Sequence, residues 1–151
     1  MMKPRFLVDA MLGRLAKWLR ILGYDTRFDP TLNDAELVML SQREDRVLLT
    51  RDAELAKRKG LRALLIESED LAEQLAQLQD ELGIDASASF TRCSLCNELL
   101  IEASWEEAEG HVPERVLGAH TRFRRCPSCG RFYWRGSHWE RMRRLIEHWR
   151  G

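Results

Sequence analysis

The sequence predicts an α/β protein: a mainly parallel sheet flanked by helices, followed by a small metal-stapled module. Short apolar runs alternate with helical patterns over residues 1–84, the order expected of strand–helix units. A small-residue stretch, Asp85 to Ser89, then breaks the alternation. All four cysteines follow it, as two Cys-x-x-Cys pairs. The expected boundaries are 1–84 for the α/β domain, 85–90 for a linker and 91–151 for a ribbon module with a C-terminal helix.

Each element has a local reason. Arg5–Val8 is an apolar run, expected as the first strand. Ala10–Leu22 places Leu12, Leu15, Leu19 and Leu22 on one helical face, with Gly23 as the stop. Tyr24–Phe28 is a second, more polar strand. Asn33–Glu44 is a helix opened by a capping-box variant, Asn33-x-x-Glu36. Arg46–Leu49 is the third strand. Asp52–Lys59 is a short helix, with Lys57, Arg58 and Lys59 suiting its negative end and Gly60 closing it. Ala63–Ile66 is the fourth strand. Glu69–Leu82 is a helix with Leu71, Leu75, Leu78 and Leu82 aligned, ended by Gly83. Beyond the cysteines, Arg131-Phe132-Tyr133-Trp134 is an aromatic strand. Ser137-x-x-Glu140 caps a last helix, with Met142, Leu145, Ile146 and Trp149 as its apolar stripe and Arg141, Arg144 and His148 on another face.

Composition narrows the class. Of 151 residues, 44% are hydrophobic and 32% charged, as in soluble globular proteins. No apolar run approaches the ~20 residues of a membrane span, and the N-terminus lacks a signal-peptide core. The expected location is the cytoplasm. The net charge is zero but unevenly spread. Residues 91–114 hold one Arg against six Glu, and residues 115–151 hold ten Arg against two Glu. An Arg-rich tail suits phosphate, because the guanidinium fork matches phosphate oxygens; a solvated helix face is the other reading.

Cys93-Ser-Leu-Cys96 and Cys126-Pro-Ser-Cys129 form two knuckles. A tight turn in each points two thiolates at one ion, and the pair makes a closed four-sulfur shell for Zn2+. Two disulfides are the competing reading, disfavoured in a reducing compartment. A closed shell leaves no open position for substrate, so the zinc is structural. The four histidines are not needed as ligands. The face of Arg141, Arg144 and His148, with Arg131, Arg135 and Arg143 nearby, could follow a nucleic-acid backbone, with Trp134 and Trp139 stacking on bases or buried in the ribbon.

Carboxylates collect at the strand ends. Asp9 follows strand one, Asp34 and Glu36 open the helix after strand two, and Thr50 and Asp52 follow strand three. Glu67 and Glu69 follow strand four. In an open parallel sheet these ends share one edge, where ligands bind. Each acid alone is explained as a helix cap. Together they would repel unless a divalent cation neutralised them, and hard oxygen donors suit Mg2+ or Mn2+ in phosphodiester hydrolysis. There is no GxxxxGK[ST] loop and no competing Ser or Cys nucleophile arrangement.

The stretches "FLVDAMLGRLAKWLRILGYDT" and "RVLLTRDAELAKR", Asp34 between them and the paired knuckles resemble a PIN-like ribonuclease family, the Mut-seven C-terminal RNase domain. The resemblance covers nearly the whole chain. It implies a PIN-like sheet followed by a zinc ribbon, and metal-dependent cleavage of single-stranded RNA. It implies Asp9, Asp34 and Asp52 as the acidic ligands of Mg2+ or Mn2+, with Thr50 as the supporting hydroxyl. Glu67 is the candidate for a fourth acid, which leaves one metal or two open. Gly13 would permit close backbone approach. Arg14 and Arg20, in "GRLAKWLR", and Arg51 would meet substrate phosphate or pair with the acids. The implied products are a 5′-phosphate and a 3′-hydroxyl, with the ribbon holding flanking RNA.

The expected partner is single-stranded or structured RNA, with no membrane; a homodimer and a ribosome or tRNA association stay open. The chief alternative is a non-catalytic RNA-binding or ribosome-associated module on a degenerate PIN fold. All three acids are present, which favours the enzyme. A phospho-acceptor receiver domain lacks support, because "VDAM" has one acid and "LLIESED" has no Lys. An antitoxin-controlled toxin stays open. The acidic segment Glu98 to Glu114 has no assigned role.

Overall fold

A computed structural model describes residues 3–136, 139–141 and 143–144. Within them the first part of the chain is α/β, as expected. Four strands, β1 (Phe6–Val8), β2 (Thr26–Phe28), β3 (Val47–Thr50) and β4 (Ala63–Leu65), form one sheet in the order β2-β1-β3-β4. Every pairing is parallel. Val8 lies opposite Leu49 and Thr50 opposite Leu65, so the strands end nearly level.

Both faces of the sheet are covered, which is why β1 is buried throughout. Side chains alternate across the strands. Phe6, Val8, Val47 and Leu49 face α1 (Gly13–Ile21) and α4 (Leu71–Leu82), packing on Leu15, Leu19, Leu75 and Leu78. Leu7 and Leu48 face α2 (Asp34–Glu44) and α3 (Ala53–Ala56), packing on Leu37 and Leu55. The leucine stripes of the sequence are these faces.

Boundaries differ at the helix starts. Ala10–Leu12 is a 3₁₀ turn and α1 begins only at Gly13, because Leu12 N–H returns to the Asp9 carbonyl. Asn33 and Glu36 complete a reciprocal capping box on α2. The helix after β3 stops at Ala56, short of the Lys57–Lys59 cluster. Asp70, not an earlier residue, caps α4.

The second part is a three-stranded antiparallel sheet, β5 (Ile101–Ala103), β6 (Phe123–Arg125) and β7 (Phe132–Tyr133), in the order β5-β6-β7. The acidic segment is structural. It supplies β5, then α5 (Trp105–Ala108), opened by a Ser104–Glu107 capping box, and it leads into α6 (Glu114–Ala119). Ala108, Val112, Val116, Leu117 and Phe123 form a small core of their own.

Residues 85–90 are packed rather than loose. Gly23 has φ +95°, and a Cβ there would lie 2.1 Å from the Ala88 carbonyl oxygen. Phe90 N–H donates to Ile21 at the end of α1. Trp139, from beyond the ribbon, is buried in the first domain's core, stacked on Trp18 with ring centroids 6.3 Å apart and edge-on to Phe90. The predicted Ser137 cap and the Met142, Leu145, Ile146, His148 and Trp149 faces lie outside the described residues.

Candidate active site and zinc centre

The parallel sheet brings the β1 and β3 ends side by side, and with them Asp9, Thr50 and Asp52. Thr50 is fully buried and links the other two. Its hydroxyl donates to Asp9 Oδ2 at 2.8 Å and accepts from Asp52 N–H at 3.0 Å. Asp9 Oδ1 accepts from Ala10 N–H at 2.7 Å. Asp52 caps α3, its Oδ1 accepting from the N–H groups of Glu54 and Leu55. Asp34 sits in the first turn of α2, exposed, at the same edge of the sheet.

Carboxylate and hydroxyl oxygens are the donor type that hard divalent cations take. The described bonds to Asp52 use only Oδ1, and a carboxylate oxygen keeps lone pairs beyond one hydrogen bond. Asp9, Asp34 and Asp52 do not close into a cage of mutually adjacent ligand atoms. Mg2+ does not require one, since it retains several waters and binds through one or two carboxylates.

The arginines divide by position. Arg14 is exposed near the start of α1, at the acid-bearing end of the sheet. Arg51 turns toward β4, its guanidinium 3.8 Å from Glu69, in a recess also lined by Glu67, Asp70 and Glu73. Arg20 lies near the other end of α1 and is drawn elsewhere. Its Nε donates to the Thr26 carbonyl, and its Nη1 to the carbonyls of Ser94 and Leu95 in the first knuckle. Its place is a seam between the two parts, at the opposite end of the strands from the acids. Arg131 and Arg135 are exposed on the ribbon.

The four cysteine sulfurs lie within 4.8 Å of one another. Among the described residues they are the one group of three or more potential ligands close enough to share an ion. The knuckles repeat one turn. Cys93 N–H donates to the Glu98 carbonyl and Cys126 N–H to the Arg131 carbonyl, each at 2.8 Å. Asn97 (φ 66°) and Gly130 (φ 80°) fill the matching left-handed position. Backbone N–H groups of Leu95 and Cys96 point at Cys93 Sγ, and that of Cys129 at Cys126 Sγ, as a thiolate site requires.

Burial pushes the Cys93 thiol up, but hydrogen bonds from Tyr133, Cys96 and Leu95 outweigh it and bring it from 9.0 down to about 7. Cys96 moves the other way, up to about 12, through its hydrogen bond with Cys129, burial and the Cys93 charge. Four adjacent thiols cannot all ionise alone, and a metal such as Zn2+ held between them would supply the missing positive charge.

Asn97 has a second role that its sequence neighbourhood does not signal. Its Oδ1 accepts from Thr26 N–H at 3.0 Å, and its Nδ2 donates to Asp25 Oδ1 at 2.8 Å. The same Asp25 oxygen accepts from the buried Arg46, which also donates to the Phe6 carbonyl. Burial pushes the Asp25 carboxyl up, but the bonds from Arg46 and Asn97 prevail and hold it below its ordinary value. The knuckle is thereby tied to the starts of β1 and β2.

No helix among the described residues is long and apolar enough to cross a membrane. A family model described as the Mut7-C RNAse domain matches residues 4–146, nearly the whole chain. No curated protein and no solved structure matches it.

Proposed function

The chain belongs to the Mut7-C RNAse domain family, and from that membership we propose a divalent-metal-dependent ribonuclease that hydrolyses single-stranded RNA at the Asp9–Thr50–Asp52 edge. The observation that carries the proposal is the buried Thr50 hydroxyl, which ties two carboxylate-bearing strand ends into one unit. A buried hydroxyl satisfied on both sides fixes geometry, and fixed geometry is what positions charge for catalysis.

In this reading Asp9 and Asp52 hold Mg2+ or Mn2+, and Asp34 completes the shell or orients the attacking water. When bound, such an ion activates water and stabilises charge on the phosphoryl oxygens. The chain's own contribution is orientation. Thr50 holds Asp9 against rotation, and the first turn of α3 holds Asp52. Asp34, in the opening turn of α2, is free to face the water. The water oxygen attacks phosphorus in line, the bond to the 3′ oxygen breaks, and the proton ends on that oxygen. A 5′-phosphate and a 3′-hydroxyl result. Arg14 is placed to meet the phosphate, and Arg51 can do so by leaving Glu69. Zn2+ on Cys93, Cys96, Cys126 and Cys129 is structural.

The test is cleavage of an end-labelled single-stranded RNA with Mg2+ or Mn2+, against Asp9→Asn, Asp52→Asn and a chelator control. Metal-dependent cutting lost in both variants is expected. Cutting that survives in the variants overturns the assignment. RNA bound but uncut by the zinc-loaded protein would instead make this a binding module.

A further inference from the structure

The ribbon carries a groove of about 530 Å³, within the size range of small-ligand sites and away from the Asp9–Thr50–Asp52 edge. Its walls hold Phe90, His120, Arg122, Arg124, Trp134 and Arg135. Glu102 is the one acidic residue lining it. The cations have distinct jobs. Arg124 donates to the Phe90 carbonyl and fixes the groove's base on β6. Arg135 places its guanidinium carbon 5.9 Å from the Phe90 ring centroid, a cation–π contact, while the side chain stays exposed. Arg122 is exposed at the rim. Trp134 is half-buried against Phe123, with centroids 6.5 Å apart, so its ring is held in place. Fixed aromatic surface beside unpaired guanidinium groups is the combination that binds single-stranded nucleic acid, bases on rings and phosphates on cations.

We propose that this groove binds a segment of single-stranded RNA remote from the scissile bond, with a base against Trp134 and phosphates on Arg122 and Arg135. The proposal rests on the ribonuclease reading for its choice of RNA. Position adds a consequence. Phe90 is anchored to Ile21 at the far end of α1, so the groove belongs to the end of the sheet opposite Asp9 and Asp52. One strand of RNA engaging both must run along the domain. The groove then sets which length of RNA is held, with little preference for sequence.

The experiment uses the full zinc-loaded chain carrying Asp52→Asn, so that bound RNA stays whole. A fluorescein-labelled oligouridylate long enough to reach both ends of the sheet is titrated by anisotropy over a salt series. Arg122→Glu with Arg135→Glu is compared with Arg115→Glu, an equally exposed arginine on α6 outside the groove. Zinc content and circular dichroism verify the fold of each. We expect the double variant to bind at least about tenfold more weakly, its salt slope reduced by about 1.4, since each single-strand phosphate contact contributes about 0.7. Arg115→Glu should bind as the parent does. Equal weakening by all changes would mean diffuse attraction and would overturn the groove, as would unchanged binding in the double variant or no binding by the parent. Failure of the nuclease reading looks different: groove-dependent binding with no metal-dependent cutting by the wild-type chain.

Discussion

Asp52 caps α3 and, in the proposed ribonuclease, also holds the metal, and side-chain chemistry can separate the two roles. Its Oδ1 caps α3, a role that Asn fills about as well as Asp. Its charge matters only if the edge holds a cation. Asp52→Asn should therefore leave thermal stability within a few tenths of a kcal/mol of wild type while cleavage is lost. Asp52→Ala should lose cleavage and also about 1 kcal/mol of stability. A paired melt and activity assay decides it; full activity in Asp52→Asn would reduce the residue to a cap. That Asp9, Thr50 and Asp52 share one edge is readable from the sequence, because parallel pairing makes strand ends neighbours. It could not show the Thr50 bridge, which depends on the register that brings Val8 opposite Leu49. Arg20 was legible only as a cation on a helix. The direction in which α1 runs decides that it points to the knuckle, away from the acids.

At the scale of elements, the first knuckle and the start of β2 behave as one unit. Asp25 is the shared acceptor of Arg46 and Asn97, and its folded pKa lies below its ordinary 3.8. A depressed carboxylate contributes stability that is fully present above the unfolded value and is lost as pH falls through the folded one. Urea midpoints measured downward from neutral pH should fall more steeply below about 3.8 in wild type than in Asp25→Asn. Parallel curves would mean that the pairing contributes nothing to folding. Strand and helix positions were largely readable, since leucine periodicity and the Asn33–Glu36 box are local signals. The 3₁₀ turn after Asp9 and the early end of α3 were not, because each is settled by a single backbone bond. The β5–α5–α6 segment was hidden for another reason. Its charge dominates the composition, while its core rests on only a few spaced apolar residues.

For the whole molecule, the linker and the ribbon are bound into the first domain's packing. Phe90 and Trp139 complete the core around Trp18, and Gly23 admits the chain at Ala88 without a side chain in the way. A metal held by the four cysteines would thus also support the α/β sheet through Asn97 and Arg20. Removing zinc with a chelator should lower the melting temperature of the entire chain, with loss of the near-ultraviolet signal of the Trp18–Trp139 stack. Two separate transitions, with the tryptophan signal untouched by the chelator, would contradict that coupling. Small residues mark 85–90 as a linker in the sequence; Ala86 and Phe90 within it pack against the core, through contacts between residues far apart in sequence that leave no local pattern. The Trp139 contact also has a meaning in time. A chain is made from its N-terminus, and the acid-bearing strands emerge well before Trp139. Until that indole arrives the Trp18–Trp139 stack cannot form, so the α/β part reaches its finished packing only after the cysteine-bearing part has been synthesised. If that edge cuts RNA, such an ordering would keep it immature while the chain is still close to the RNA that encodes it.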